Sequence, residues 1–273
     1  VSTNVLTPER VRAVAVAPRS ALALAWSDCL VLTGRSLRHL TRNMDQLIQT
    51  FSLPIILLLM FRYLLGGAIK TDQTYINYVI SGLIVISAGF NLTSTVIGVT
   101  NDMRNGIVER FRSMPVLPPS VLVAHVAAAV LRTFVSATVL IVAGFLVGFR
   151  PDAGPLEWLA VIGLLALFAT ALCWVAVILG LLAKSVEGGS GYGLILVFLP
   201  YLSSALVPTE TMPKVLGTIV RYQPVSAIAD AVRSLLTEAP AGNSIWLALV
   251  WWAAILLLAV PTAARLFRRR ALG

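Results

Sequence analysis

Six stretches of this chain are each apolar and long enough to be measured against a lipid bilayer, which leaves few folds open. They run at about 47–65, 75–99, 133–149 (with a start that can extend earlier), 156–183, 191–207 and 245–264. Crossing the hydrocarbon core takes about 20 predominantly apolar residues per helix. Inside lipid every peptide group must find its partner within the protein, so such stretches become helices. Pro54 lies within the first and is tolerable in a packed membrane helix. Composition agrees. Of 273 residues 58% are hydrophobic and 12% charged, against about 25% charged in soluble domains, and the mean hydropathy is +0.88. No soluble core of this size hides so much apolar surface, so lipid must take the excess. The expectation is an all-α integral membrane protein with six transmembrane helices.

The formal charge of +9 would raise the question of nucleic acid in a soluble protein. Here the basic residues flank the apolar stretches, which suits anionic headgroups and topology control, so no nucleic-acid partner is expected. With six spans both termini share a side. That side collects fifteen of the 21 Lys and Arg, including Arg10, Arg12, Arg19, Arg35, Arg38 and Arg42 and the group Arg265, Arg268, Arg269 and Arg270. The other side has six: Arg62, Lys70, Arg150, Lys214, Arg221 and Arg233. Both termini are therefore expected in the cytoplasm, in a multi-pass protein of the cell membrane. Residue usage rich in Ala, Val and Arg, with three lysines, suggests a high-GC bacterium. Cys29 and Cys173 stand alone and His39 and His125 are isolated, so neither a disulfide framework nor a metal site is expected. No convincing signal peptide precedes the first amphipathic segment.

Two segments outside the spans carry pattern. Between Ala21 and Asp45, Trp26, Leu30, Thr33, Leu37, Leu40 and Met44 recur at helical spacing, while Asp28, Arg35, Arg38, His39 and Arg42 gather opposite. That pattern predicts an interfacial amphipathic helix, arginines toward headgroups and Trp and Leu toward acyl chains. The region from Pro208 to Asn243 is neither a clean span nor a polar loop. It reads as two short amphipathic helices between Pro213 and Pro240, broken at Pro224, with Arg233 in the second. The expectation is a re-entrant helical hairpin on the extracytoplasmic side, before the sixth span. The chain then divides as one membrane domain: 1–46 a tail and amphipathic helix, 47–266 the bundle, 267–273 a basic tail.

Between the second and third spans lies a short charged segment, Asn101-Asp-Met-Arg-Asn-Gly-Ile-Val-Glu-Arg-Phe-Arg-Ser-Met-Pro115. Ile107, Phe111 and Met114 make an apolar stripe, and Pro115, Pro118 and Pro119 end it. Periodicity alone reads it as an ordinary surface helix. Its pattern, Asp-x-x-x-Gly-x-x-Glu-Arg-Phe-Arg-x-x-Pro directly after a second span, resembles the coupling helix of type-2 ABC exporter permeases. The resemblance covers nearly the whole chain. It includes Leu64-Leu65-Gly66-Gly67-Ala68-Ile69, Gly148-Phe149-Arg150, Ser203-Ser204-Ala205-Leu206-Val207-Pro208 with Thr211-Met212-Pro213, Gln223-Pro224-Val225 and Ala231-Val232-Arg233. Singly weak, these motifs in this order resemble the daunorubicin/doxorubicin-resistance branch. Glu109 departs from the Asp of many members but keeps the charge.

The resemblance implies the permease subunit of an ATP-driven exporter, moving a hydrophobic drug, lipid or glycolipid outward. It implies a separate ATP-binding subunit in two copies, carrying ATP and Mg, and a second permease copy or sister chain. Asp102, Arg104, Gly106, Glu109, Arg110, Phe111, Arg112 and Pro115 would dock on that subunit, the charges steering register and Phe111 filling a pocket. The amphipathic segment would be the family's connecting helix. The sequence itself has no GxxxxGK[ST] phosphate loop and no catalytic constellation, so the chain is not expected to be an enzyme or to bind a cofactor or metal. The run Gly188-Gly-Ser-Gly-Tyr-Gly193 lacks the lysine and is expected to be a flexible turn into the fifth span. Ionisable residues are scarce in the spans, and Arg62 and Arg132 are expected to snorkel near opposite interfaces. Ser87, Asn91 and Ser94 share one face of the second span, and Phe198, Tyr201, Ser203 and Ser204 sit in the fifth. They are candidates for the translocation path, with helix–helix hydrogen bonding as the plainer role. An ion-coupled transporter or channel would need a buried ion site or inverted repeats, which the sequence does not display. A membrane scaffold without transport is the remaining alternative.

Overall fold

The computed structural model of the protein describes residues 44–65, 75–104, 120–237 and 242–272. The amphipathic segment with Trp26, Leu30, Arg35, Arg38 and Arg42 lies outside the described residues, as do Gly106, Glu109, Arg110, Phe111, Arg112 and Pro115.

The described residues form helices. Helix α1 (Met44–Met60) contains Pro54 and runs into a π-helical turn at Phe61–Leu65. Helices α2 (Tyr75–Arg104), α3 (Ser120–Val147) and α4 (Pro155–Leu182) are long and apolar. Helix α5 (Val186–Phe198) tightens into a 3₁₀ turn at Leu199–Leu202. Two short helices follow, α6 (Lys214–Tyr222) and α7 (Pro224–Leu236), and then α8 (Ser244–Leu272). Four helices are long and apolar enough to cross a membrane: α2, α3, α4 and α8. The stretches 52–64 and 186–202 are apolar but shorter. The break between α6 and α7 falls at Pro224, as the sequence predicts, because proline readily opens a helix but cannot continue one.

Two sequence expectations change and one is sharpened. The third apolar helix takes the earlier start that its sequence left open, at Ser120. The fifth ends its α-helical part at Phe198, well before Val207. The glycine run is not a turn. Ser185 caps α5, its hydroxyl accepting from the Gly188 N–H, and residues 188–193 are helical. Their lack of side chains serves close packing: a Cβ on Gly193 would stand 2.7 Å from Thr93 Cγ2, and one on Gly189 2.9 Å from Thr100 Oγ1. Small residues let backbones approach in membrane bundles, where dispersion and hydrogen bonds drive helix association.

Helix α2 is the axis of the bundle. It packs against α1, α3, α4, α5 and α7 and is buried nearly all round, from Tyr75 to Thr100. A helix apolar on every face belongs in such a place. Helix α8 is the opposite case. Trp252 is buried edge-on against Phe168 of α4, ring centroids 4.7 Å apart, while Trp246, Val250, Leu257 and Leu258 are exposed. That outward apolar face suits acyl chains. Helix α3 ends where Gly148 takes φ +104°, a conformation that favours glycine. The Phe149 N–H then donates to Gly144 O at 2.8 Å, and Phe149 is fully buried.

Candidate functional site

Polar side chains collect at the two ends of α2 and at one level between. At the Tyr75 end, Asn77 Nδ2 donates to Arg150 O (3.1 Å) and Asn77 Oδ1 accepts from the Arg150 N–H (3.2 Å). Arg62 Nε donates to Val147 O, and Tyr75 Oη donates to Leu206 O, both at 3.3 Å.

Just inside that end, α7 docks through Arg233, which is 7% exposed. Its Nη1 donates to Asp230 Oδ1 at 2.5 Å, its Nε to Tyr78 O at 3.1 Å and its Nη2 to Ser204 O at 3.0 Å. The guanidinium carbon lies 3.6 Å from the centroid of the Tyr78 ring. Ser204 Oγ donates to Asp230 Oδ1 (2.8 Å), and Tyr78 Oη donates to Ser204 O (2.7 Å). The Ser204 N–H donates to Ser226 Oγ (3.0 Å), and Gln223 Nε2 donates to Leu202 O. Every edge of the guanidinium is matched, the arrangement a buried charge requires. Indole N–H groups tie the short helices to α8: Trp251 donates to Tyr222 O and Trp252 to Pro224 O, both at 3.1 Å. A cleft of about 420 Å³ opens beside this network, lined by Tyr78, Ser204, Arg221, Asp230, Arg233 and Asn243 among others.

Near the Arg104 end, Asp102 Oδ2 and His125 Nε2 stand 2.7 Å apart, each about a quarter exposed. The pair joins the last turn of α2 to the start of α3, across the two ends of segment 105–119. Two turns further in, Arg132 Nη2 donates to Thr95 Oγ1 at 2.9 Å. Thr100 Oγ1 donates to Val96 O and Gly180 O, linking α2 to α4. Arg270 Nη2 donates to Ala183 O at 3.0 Å.

The sequence candidates separate on this frame. Asp102 is paired with His125 and Arg104 is exposed in the last turn of α2. Ser87 and Ser94 donate to carbonyls of their own helix, Ile84 O and Asn91 O, both at 2.8 Å. Asn91 is 4% exposed. Ser203 and Ser204 are buried at the junction of α5 with α7, Ser203 Oγ donating to Pro200 O. Phe198 and Tyr201 are exposed neighbours, ring centroids 6.2 Å apart. Pro208 and Pro213 flank the short 3₁₀ turn at Thr209–Thr211.

Sequence reasoning missed two residues, His125 and Asp230, and misdirected a third, Arg132. His125 is isolated along the chain but not in space, and nothing local announces a partner 23 residues away. Arg132 points inward to Thr95 rather than snorkelling along α3. Asp230 and Arg233 sit three apart on one helix, a spacing that was legible as a pair. Among the described residues no group of three or more His, Cys, Asp and Glu is placed to hold a metal.

Comparison with known proteins places this architecture. The family model described as ABC-2 type transporter matches residues 27–237. The chain is 30% identical over 254 residues to the daunorubicin resistance ABC transporter permease protein DrrB1 of Streptomyces coeruleorubidus, covering 92% of this chain and 90% of that one. It is 26% identical over 249 residues to the probable doxorubicin resistance ABC transporter permease protein DrrC of Mycobacterium tuberculosis, covering 90% of each. A match across most of the chain, on a bundle of apolar helices, makes this protein a member of the ABC-2 type transporter family, a multi-pass membrane permease of that class.

Proposed function

We propose that this chain is the transmembrane subunit of an ATP-driven exporter, moving a hydrophobic drug, lipid or glycolipid out of the cytoplasm or inner leaflet. The observation that carries the reading is the family match across residues 27–237 of a chain that has no phosphate-binding loop of its own. The work must then come from a separate ATP-binding subunit. Two copies of it, with ATP and Mg, would serve two permeases, either two copies of this chain or this chain and a sister.

In this reading six helices cross the bilayer. The four long ones are joined by α1 with its π-helical turn and by α5 with its 3₁₀ turn, shorter helices that span by thinning the bilayer or sheltering in the bundle. Both termini and the Arg104 end of α2 face the cytoplasm, following the Lys and Arg bias. Helices α6 and α7 form the re-entrant cap on the far side, its backbone sheltered by α8 and α2. The ATPase docks on Asp102, Arg104, Gly106, Glu109, Arg110, Phe111, Arg112 and Pro115. Movement there is passed to α2 and α3 through the Asp102–His125 pair.

Affinity purification in mild detergent tests the assembly: a nucleotide-binding subunit should co-purify in a one-to-one ratio with permease. A Glu109→Ala/Arg112→Ala double mutant should insert normally yet lose export. Normal export by that mutant would remove the docking assignment. Gradient-driven transport by the purified chain alone would overturn the whole reading.

A further inference from the structure

Arg132 stands thirteenth of 28 residues in α3, far from either end of a span. The residue it bonds, Thr95, is nine residues from the Arg104 end of α2, about 14 Å along the helix axis. A 30-residue helix is about 45 Å long and the hydrocarbon core is about 30 Å thick. Centred in the bilayer, α2 therefore places Thr95 several ångströms inside the hydrocarbon, in the cytoplasmic leaflet.

At that depth the guanidinium is poorly matched. A guanidinium presents five N–H donors and no acceptor. Among the described residues Thr95 Oγ1 is the side-chain acceptor it meets, and no described carboxylate forms an ion pair with it. Its Nε is buried and, among the described residues, has no acceptor. One turn further along α2, four residues from Thr95 and so on the same helix face, Asn91 Nδ2 is also buried without an acceptor. Asn91 itself is 4% exposed. Both unsatisfied groups are donors, so the missing chemistry is an acceptor, and beside a fixed positive charge the best acceptor is an anion. Ionisable side chains at such depths mark substrate pathways or pair with a charge, and among the described residues no such charge stands there.

We propose that Arg132, with Asn91 and Thr95, binds the anionic headgroup, phosphate or carboxylate, of an amphipathic molecule entering from the inner leaflet. The proposal rests on the exporter reading only for which leaflet is inner; binding itself needs no ATPase. The headgroup accepts from the guanidinium and from the Asn91 amide as α2 and α3 part, while its acyl or ring portion stays among apolar side chains. A headgroup carrying only a positive charge is disfavoured by the same guanidinium.

The test uses the full chain in detergent micelles, titrated with phosphatidylglycerol or with phosphatidylcholine of the same acyl composition and read by native mass spectrometry. Wild type should retain phosphatidylglycerol in preference to phosphatidylcholine. Arg132→Gln should reduce that retention about tenfold, the scale of one lost charge-assisted hydrogen bond. Asn91→Ala should reduce it several-fold and Arg132→Lys less than Arg132→Gln. Equal retention by wild type and Arg132→Gln overturns the site. If Arg132→Gln does not fold, unchanged retention in both Asn91→Ala and Arg132→Lys overturns it equally. Proteoliposomes with the co-purified ATPase then separate two sources of the same chemistry. ATP-dependent movement of a fluorescent phosphatidylglycerol makes the anion cargo, and retention without movement makes it a resident lipid. A chain that binds phosphatidylglycerol through Arg132 but recruits no ATPase would sink the exporter reading and leave the site standing.

Discussion

Arg233 and Arg132 both carry a guanidinium into the bundle, one on the short helix α7 and one midway along α3. Around Arg233 the fold supplies Asp230, two backbone carbonyls and the face of Tyr78. Around Arg132 the described residues supply the Thr95 hydroxyl and leave Nε without an acceptor. A charge so fully enclosed is a fastener: it fixes α7 against α2 and the end of α5, and it has nothing left to offer a ligand. A charge so incompletely enclosed adds little to the fold and keeps its donors available. The contrast sets the Tyr75 end of the bundle, held by satisfied polar contacts, against one level of α2 and α3 where Asn91 and Arg132 keep buried donors unmatched among the described residues.

Arg233→Met gives the largest expected effect. It removes the cation beside Asp230 and a donor from each of two backbone carbonyls, so the loss should be about 3–5 kcal/mol, the range for breaking a buried pair by removing one partner. Denaturant unfolding in detergent, followed by tryptophan fluorescence, measures it, since Trp251 and Trp252 bond the junction of α6 and α7. A loss below about 1 kcal/mol, the value of an ordinary exposed pair, would deny the fastener role. Arg132→Met should move the other way. An arginine at the middle of a membrane helix costs about 2.5–3.5 kcal/mol on insertion scales, and one hydroxyl returns only part of it. Stability should rise by about 1–2 kcal/mol in the same assay. Equal losses from the two arginines would erase the contrast.

Asn77→Ala probes the Tyr75 end of α2 more gently. It removes both bonds to the Arg150 backbone, where the chain leaves α3 through Gly148. These groups reach water, so the cost should be about 1 kcal/mol. It is read as a lower unfolding midpoint with unchanged slope. An unchanged midpoint would mean that Gly148 and the buried Phe149 define that corner without help.

Much of this bundle was legible from sequence, because hydropathy reports directly on the solvent each segment meets. The long helices and the break at Pro224 followed from apolar length and from the missing proline N–H. The glycines at 188–193 misled because a glycine run has two physical uses, turning the backbone and admitting a neighbour. Only the approach of Thr93 and Thr100 shows that packing decides here. Arg132 misled for a related reason: a long side chain can reach along its helix or across to the next, and Thr95 37 residues away sets the direction. The second-span serines share one face with Asn91 by helical spacing. The face exists, but Ser87 and Ser94 spend their protons on their own helix, leaving Asn91 as the member with a donor to spare.

His125→Ala should have the smallest effect on stability and the most specific effect on mechanism. The Asp102–His125 pair is about a quarter exposed on each side, and such pairs contribute about 0.2–1 kcal/mol. Unfolding should therefore shift barely beyond error. The pair nonetheless joins the last turn of α2 to the first turns of α3, on either side of the segment proposed to meet the ATPase. Gly98 lies beneath the imidazole, where a Cβ would come within 3.4 Å of its Cε1, so the ring is seated against α2 as well as bonded to it. Loss of the ring leaves α3 free to lag when α2 is pushed. In the reconstituted complex the expected outcome is ATP hydrolysis near the wild-type rate with transport per ATP reduced several-fold. Exchanging the two residues, Asp102→His with His125→Asp, should restore part of that ratio, which a purely local packing defect would not allow. Hydrolysis and transport falling in parallel, with no rescue by the exchange, would make the pair an ordinary surface contact and leave Arg132 and Asn91 as the polar groups of this half with a role beyond the fold.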